Sequence, residues 1–150
     1  MCWQSLSFDE LNVHQLYAIL RLRQEIFVVE QDCVFLDTDG LDLDAIHIVC
    51  WQDNQPMAYL RSLGPGLAYE QSSLGRIVVP ESSRGLNLGR ELVRRGIAYN
   101  LEAWPESDIR IGAQARLERF YNDLGFIVDG RPYEEDGIMH IYMNLDRHQS

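Results

Sequence analysis

The chain is expected to fold as a mixed α/β (α+β) domain in which helices flank one central sheet, and three features of the sequence agree on this. Short alternating or β-branched apolar runs interleave with segments whose apolar residues recur at three- and four-residue steps. Two strand-like runs in the first half flank the turn formers Asp53-Asn54-Gln55-Pro56, which predicts an antiparallel hairpin and argues against an all-parallel sheet. The 150 residues, with no repeat, low-complexity stretch or linker, fit a single domain spanning 1–150. At that size folding hides roughly 68–70% of the unfolded surface, enough for one sizeable core.

Taken in order, Cys2 to Leu6 forms a short first strand. Val13 to Phe27 reads as a helix because Leu16, Ile19, Leu20, Arg23, Ile26 and Phe27 share one face. From Glu30 to Asp44 that periodicity fails and acidic residues accumulate, so an irregular segment lining a pocket is expected. Ala45 to Gln52 and Met57 to Leu63 are the hairpin strands. After Gly64-Pro65-Gly66, Leu74 to Val79 is a strand ended by Pro80. A helix follows from Leu88 to about Trp104, with Leu88, Leu92, Val93, Ile97 and Leu101 on one side. Ile109, Ile111 and Ala113 alternate as a strand, Leu117 to Leu124 is a short helix stopped at Gly125, Phe126 to Val128 opens another strand, and Ile138 to Leu145 is the last.

Composition narrows the function. A formal net charge of -10 argues against nucleic acid, because neutralising phosphates needs a basic face. The positive charge is all arginine, and Arg76, Arg84, Arg90, Arg94 and Arg95 crowd one stretch, which offers either a place for an anion or a solvated helix face. Cys2, Cys33 and Cys50 are an odd number with no C-x-x-C pair, so reduced thiols in a cytoplasm are expected and neither a disulfide framework nor a zinc site. No apolar run approaches the roughly 18 residues that span a bilayer, so no membrane partner is expected. Asp37-Thr38-Asp39-Gly40-Leu41-Asp42 suggests calcium at first, but Leu41 stands where an EF-hand loop needs Asp or Asn, and no metal is expected.

The chemistry begins at Ile77-Val78-Val79-Pro80, followed by Arg84-Gly85-Leu86-Asn87-Leu88-Gly89 at a helix start. A helix N-terminus leaves amides unpaired and carries partial positive charge, and glycines allow its backbone to close around a phosphate. The loop has neither the Gly-Lys-Ser/Thr of a nucleotide triphosphate site nor a dinucleotide G-x-G-x-x-G. Downstream, Phe120-Tyr121-Asn122-Asp123-Leu124-Gly125-Phe126 puts a tyrosine on a short helix that turns through glycine into a strand.

With both motifs on one chain, the sequence resembles the GNAT superfamily of N-acetyltransferases, whose signature is a strand, an R/Q-x-x-G-x-G/A loop, a helix and a later Tyr-x-x-x-Gly-Phe. It is most similar to the ElaA-like branch, through Arg23 with Phe27 and Glu30-Gln31, Gly112-Ala113-Gln114-Ala115, and Tyr133-Glu134-Glu135-Asp136-Gly137-Ile138 before His140. One departure is Asn87 where the family usually has glycine; asparagine tolerates the left-handed conformation better than most residues. The resemblance implies a splayed central sheet and acetyl-CoA as co-substrate. Ile77, Val78 and Val79 would hold pantetheine and polarise the thioester, Arg84 to Gly89 would hold the pyrophosphate, and Gln114 would touch the pantetheine arm. Tyr121 would be the general acid beside the sulfur.

Direct transfer needs a group that takes the proton of the acceptor amine. The strand Leu74 to Val79 contains no carboxylate, so the first candidate is His140, beside Glu134-Glu135-Asp136, with His47 and Glu30 behind it. The acceptor is expected to be a small-molecule or peptide amine, and a cationic one if the acidic 37–42 loop lines its site. A catalytically silent acyl-CoA-binding or sensor domain is the competing reading, which Tyr121 disfavours. A homodimer is compatible with the sequence.

Overall fold

The computed structural model describes residues 1–148. The strands β1 (Cys2–Ser7), β2 (Ile46–Gln52), β3 (Gln55–Leu63), β4 (Ser72–Val78), β5 (Ile109–Gln114), β6 (Ile127–Val128), β7 (Tyr133–Glu135) and β8 (Ile138–Leu145) form one sheet. Their order is β1-β2-β3-β4-β5-β8-β6, with β7 also on β8. Every pairing is antiparallel except β4 with β5, so the mixed sheet predicted from sequence is observed.

Helix α1 (Val13–Arg23) starts at Asn12, whose side chain accepts from the Gln15 amide at 2.8 Å while Gln15 accepts from the Asn12 amide at 3.0 Å. That reciprocal box satisfies two of the otherwise orphaned donors. The predicted end at Phe27 is corrected: regular α-helix stops at Arg23 and the chain continues as a π-helix over Gln24–Glu30. The wider winding keeps Ile26 and Phe27 against the sheet, which is why the apolar spacing reads on without a break. Helix α2 (Leu88–Ala103) lies on the opposite face, and α3 (Glu118–Asn122) is a short helix entered by a 3₁₀ turn.

Strand alternation sends side chains into two layers. Ile48, Cys50, Ala58, Leu60, Leu74, Ile109, Ile111 and Met143 pack under α2 around Leu92 and Val93. Val49, Trp51, Tyr59 and Val78 face α1 at Ile19 and Leu22. Helix α2 runs close to the sheet at Gly96, where a Cβ would come within 2.9 Å of Leu60 and 3.0 Å of Leu74. Leu92 is wholly buried, so Leu92→Ala is expected to lower stability by about 2–5 kcal/mol in denaturant titration. The first hairpin turn is tighter than predicted: Asp53 and Asn54 alone make it, both at positive φ, and β3 already begins at Gln55.

Candidate active site

Strands β4 and β5 pair only at Ser72 with Ile109 and Ser73 with Arg110, then part. The junction is fixed from α2: Asn100 donates to the Ser72 hydroxyl at 3.2 Å and to the Ser73 carbonyl at 3.1 Å, and Ser62 hydrogen-bonds to Asn100 from β3. Beyond it lies a cavity of about 710 Å³, with Gly75 to Val79 on one wall and Ile111 to Gln114 on the other.

One wall is bulged. Tyr59 pairs with Val78 and Arg61 with Gly75, so β4 spends one extra residue against β3, and Arg76 sits at a φ of 49°. A side chain other than glycine's is strained there. Arg76 is held in place: its Nε donates to Asp37 Oδ1 at 2.7 Å, and its Nη2 to the Asp37 carbonyl at 3.1 Å. Asp37 is shared with Arg23, which is fully buried and also donates to Asp42 at 2.7 Å; Arg61 closes the cluster on Asp39 at 2.6 Å and Asp42 at 3.1 Å. Burial alone would raise the Asp42 carboxyl, but the hydrogen bonds and charges of Arg23 and Arg61 hold it below the ordinary carboxylate range. The acidic loop therefore borders the cavity, as expected, through Asp39, but its carboxylates are matched by arginines.

His47 belongs to this cluster and is corrected as a candidate base. It is 1% exposed, away from the cavity; its Nε2 donates to the Asp42 carbonyl at 3.0 Å, which leaves Nδ1 to accept from the Tyr59 hydroxyl at 2.7 Å. Burial holds its pKa below the ordinary imidazole value. His140 does line the cavity, opposite Gln114 across the β5–β8 ladder. Its Nδ1 donates to the Ile138 carbonyl at 2.8 Å, so in the neutral ring Nε2 carries the free lone pair, 3.8 Å from Glu135.

Tyr121 reaches the cavity from α3 with its ring edge-on to Phe120 and Phe126. Burial pushes its hydroxyl well above the ordinary phenol value, opposed by the charge of Arg116. Ile77, Val78, Val79, Arg84 and Gln114 also line this space. Gly85, Asn87, Leu88 and Gly89 line a second, shallower hollow of about 380 Å³ that shares Val79, Arg84 and Phe120 with the first, so the cleft runs on to the start of α2. Asn87 adopts the left-handed conformation, φ 60° and ψ 20°, at the N-cap of α2. Leu86 is exposed and lines neither space, and Leu88, which borders the hollow, has its side chain buried in the core.

The crowded arginines do not form one patch. Arg76 is spent on Asp37 and Asp39, Arg95 pairs with Glu91 at 2.8 Å and covers the Trp3 ring, and only Arg84 and Arg90 border the hollow. The remaining wall joins Tyr133 and His140, both within the motifs read from sequence, to Tyr69 and Tyr142, which the sequence did not single out. Tyr133 stacks on Tyr142 at 4.4 Å and on His140 at 5.6 Å, and Tyr69 meets Tyr142 edge-on. Gly112 makes room for them, since a Cβ there would lie 2.7 Å from the Tyr133 hydroxyl and 3.1 Å from that of Tyr69. The signal for this wall was present in Asp136-Gly137, a two-residue hairpin turn that pairs β7 with β8. Among the described residues no three His, Cys, Asp or Glu are grouped to hold a metal ion, and no helix is long and apolar enough to cross a membrane.

A mixed sheet parted at its centre, with a glycine-bearing loop at a helix start beside the gap, is the acyl-CoA N-acyltransferase fold. Residues 41–147 match the family model of the acetyltransferase (GNAT) domain, and the chain belongs to that family. It is 43% identical over 143 residues to the protein ElaA of Escherichia coli, covering 94% of each chain. The crystal structure of an acyl-CoA N-acyltransferase from Pseudomonas aeruginosa superposes with a TM-score of 0.92 at 38% identity, covering 97% of this chain and 100% of that one. That of Escherichia coli ElaA gives 0.90 at 41%, covering 97% and 99%. The coarse function is thus that of an N-acyltransferase.

Proposed function

We propose that the protein transfers an acetyl group from acetyl-CoA to a primary amine of a small-molecule or peptide acceptor by direct attack. The parting of β4 from β5 carries this reading, because it leaves extended backbone unpaired on both walls of a narrow cleft that continues into a loop at a helix N-terminus. Pantetheine, itself a chain of amides, can pair with the edge of Ile77 to Val79, with Gln114 reaching it from β5. The pyrophosphate then meets Arg84 and the amides of Gly85 to Gly89. Amides of the bulged strand polarise the thioester carbonyl, stabilising charge where it develops.

In this reaction Nε2 of His140 takes a proton from the acceptor ammonium. The neutral nitrogen attacks the thioester carbon, the C–N bond forms as the C–S bond breaks, Tyr121 gives a hydrogen bond or proton to the departing thiolate, and the second proton shed by the new amide nitrogen restores the Tyr121 hydroxyl or ends on the thiol. A buried phenol above its usual pKa remains protonated at neutral pH, and the same desolvation raises the basicity of the thiolate it faces. Thiol release from acetyl-CoA across a panel of amines tests the activity. Tyr121→Phe keeps the ring and removes the donor, so kcat is expected to fall about 10²–10⁴-fold with little change in KM for acetyl-CoA. A variant that retains most of its kcat would return Tyr121 to a packing role, and a protein that binds coenzyme A without any turnover would support the sensor reading instead.

A further inference from the structure

The carboxylates that border the cavity are not equally available. Asp39 is clamped between Arg61 and Arg76, and Glu135 and Asp136 stand on the exposed β7–β8 hairpin. Glu30 differs from all of these. It borders the cavity from the end of the π-helix and pairs with Arg84 at 2.9 Å, with 38% and 45% of the two side chains exposed. A pair so open to water is weakly held.

Its partner is a residue with a second use. Arg84 opens the loop that leads into α2 and borders both the cavity and the hollow beside it. Its Nε donates to the Val79 carbonyl at 3.1 Å, which keeps the guanidinium at the junction of the two spaces. A pyrophosphate offers that fork more negative charge than a single carboxylate does, and in a bidentate geometry.

We propose that Glu30 anchors a second positive charge on the acceptor and that Arg84 masks it until the donor is bound. Pyrophosphate in the Arg84–Gly89 loop draws the guanidinium away, and the released carboxylate then receives one nitrogen of a diamine-type acceptor while the other presents itself to His140 on the opposite wall. The inference rests on the acyltransferase reading above and leaves its bond-making steps unchanged. It favours the donor before the acceptor, and by linkage a doubly cationic acceptor in turn tightens the hold on the donor by the same factor.

The test uses calorimetry with coenzyme A and thiol release from acetyl-CoA, with 1,5-diaminopentane and 1-aminopentane as matched probes. Glu30→Gln removes the competitor for Arg84, so coenzyme A should bind up to about fivefold more tightly. The same variant should lose about tenfold or more in kcat/KM for diaminopentane while aminopentane is spared. Weaker or unchanged coenzyme A binding, or equal losses on the two amines, overturns the inference. Arg84→Gln should bind coenzyme A less well yet bind diaminopentane without it up to about fivefold more tightly than the free wild type does, and coenzyme A should tighten the wild type's hold on diaminopentane by a similar factor. These binding measurements need no turnover, and failure of diaminopentane to bind the wild-type complex overturns the inference while leaving the acyltransferase reading in place. A wild-type protein that binds no coenzyme A overturns both.

Discussion

His140 and His47 carry the same ring in opposite circumstances, and each should respond to pH in its own way. His140 keeps one nitrogen free toward the cavity, so His140→Asn is expected to lower kcat by about 10²–10⁴-fold. Raising the pH should return part of that loss, since below its pKa the neutral fraction of an acceptor amine grows about tenfold per pH unit. A deficit constant from pH 7 to 9 would place the proton acceptor elsewhere. His47 has both nitrogens engaged and its pKa lowered in the fold by burial. The unfolded chain therefore binds its proton first, so the stability this ring contributes is complete above the ordinary imidazole pKa of about 6.5 and is lost as pH falls through the lower folded value. Denaturant midpoints for the wild type should drop from pH 7.5 to pH 5.5 by more than those of His47→Asn. The sequence does not separate the two histidines, because the burial of His47 and its Tyr59 partner come only from the pairing of β2 with β3, although Asp42 is a near neighbour in the chain.

At the scale of elements, the bulge in β4 and the arginine–aspartate cluster act together. Arg76→Gly removes the tether but suits a positive φ, whereas Arg76→Val removes the tether and places a β-branched residue in a left-handed conformation. The valine variant should be the less stable of the two by about 1–2 kcal/mol in urea titration and should show the higher KM for acetyl-CoA. Asp37→Ala takes one partner from each of Arg23 and Arg76 and is expected to cost about 3–5 kcal/mol. Most elements were legible because their signals are local: β8 has the predicted bounds, α2 ends one residue early, and the loop before it carries Asn87 in the left-handed state for which asparagine is suited. The π-helix was not legible, since apolar spacing over a few residues does not distinguish its winding from an α-helix. Nor was the strand bulge, where Arg76 owes its conformation to Asp37, 39 residues earlier. The loop, Tyr121 and Tyr133 fall within motifs, while Tyr69 and Tyr142 do not, since the wall forms only where the β7–β8 hairpin meets the segment before β4.

For the molecule as a whole, the cleft joins the start of α2 to the tyrosine wall, so a change at one end should be felt by ligands that span it. Gly89 borders the hollow with Phe120 and Val79 each 3.9 Å from the place of a Cβ; Gly89→Glu therefore sets an anion where pyrophosphate would lie and should abolish coenzyme A binding by calorimetry with the fold intact. The early parting of β4 from β5 has a further consequence. A strand edge with free amides and carbonyls is ordinarily a hazard, open to any other chain that can add to it. Here two such edges lie in the middle of the sheet, flanked by α2 on one face and by the π-helix and tyrosine wall on the other, where a polypeptide strand has no lateral approach. The adhesiveness of an unfinished sheet is reserved for something slender enough to enter lengthwise. Deuterium uptake at Gly75 to Val79 and Gly112 to Gln114 would then report occupancy, fast in the free protein and slowed when coenzyme A completes the missing rungs.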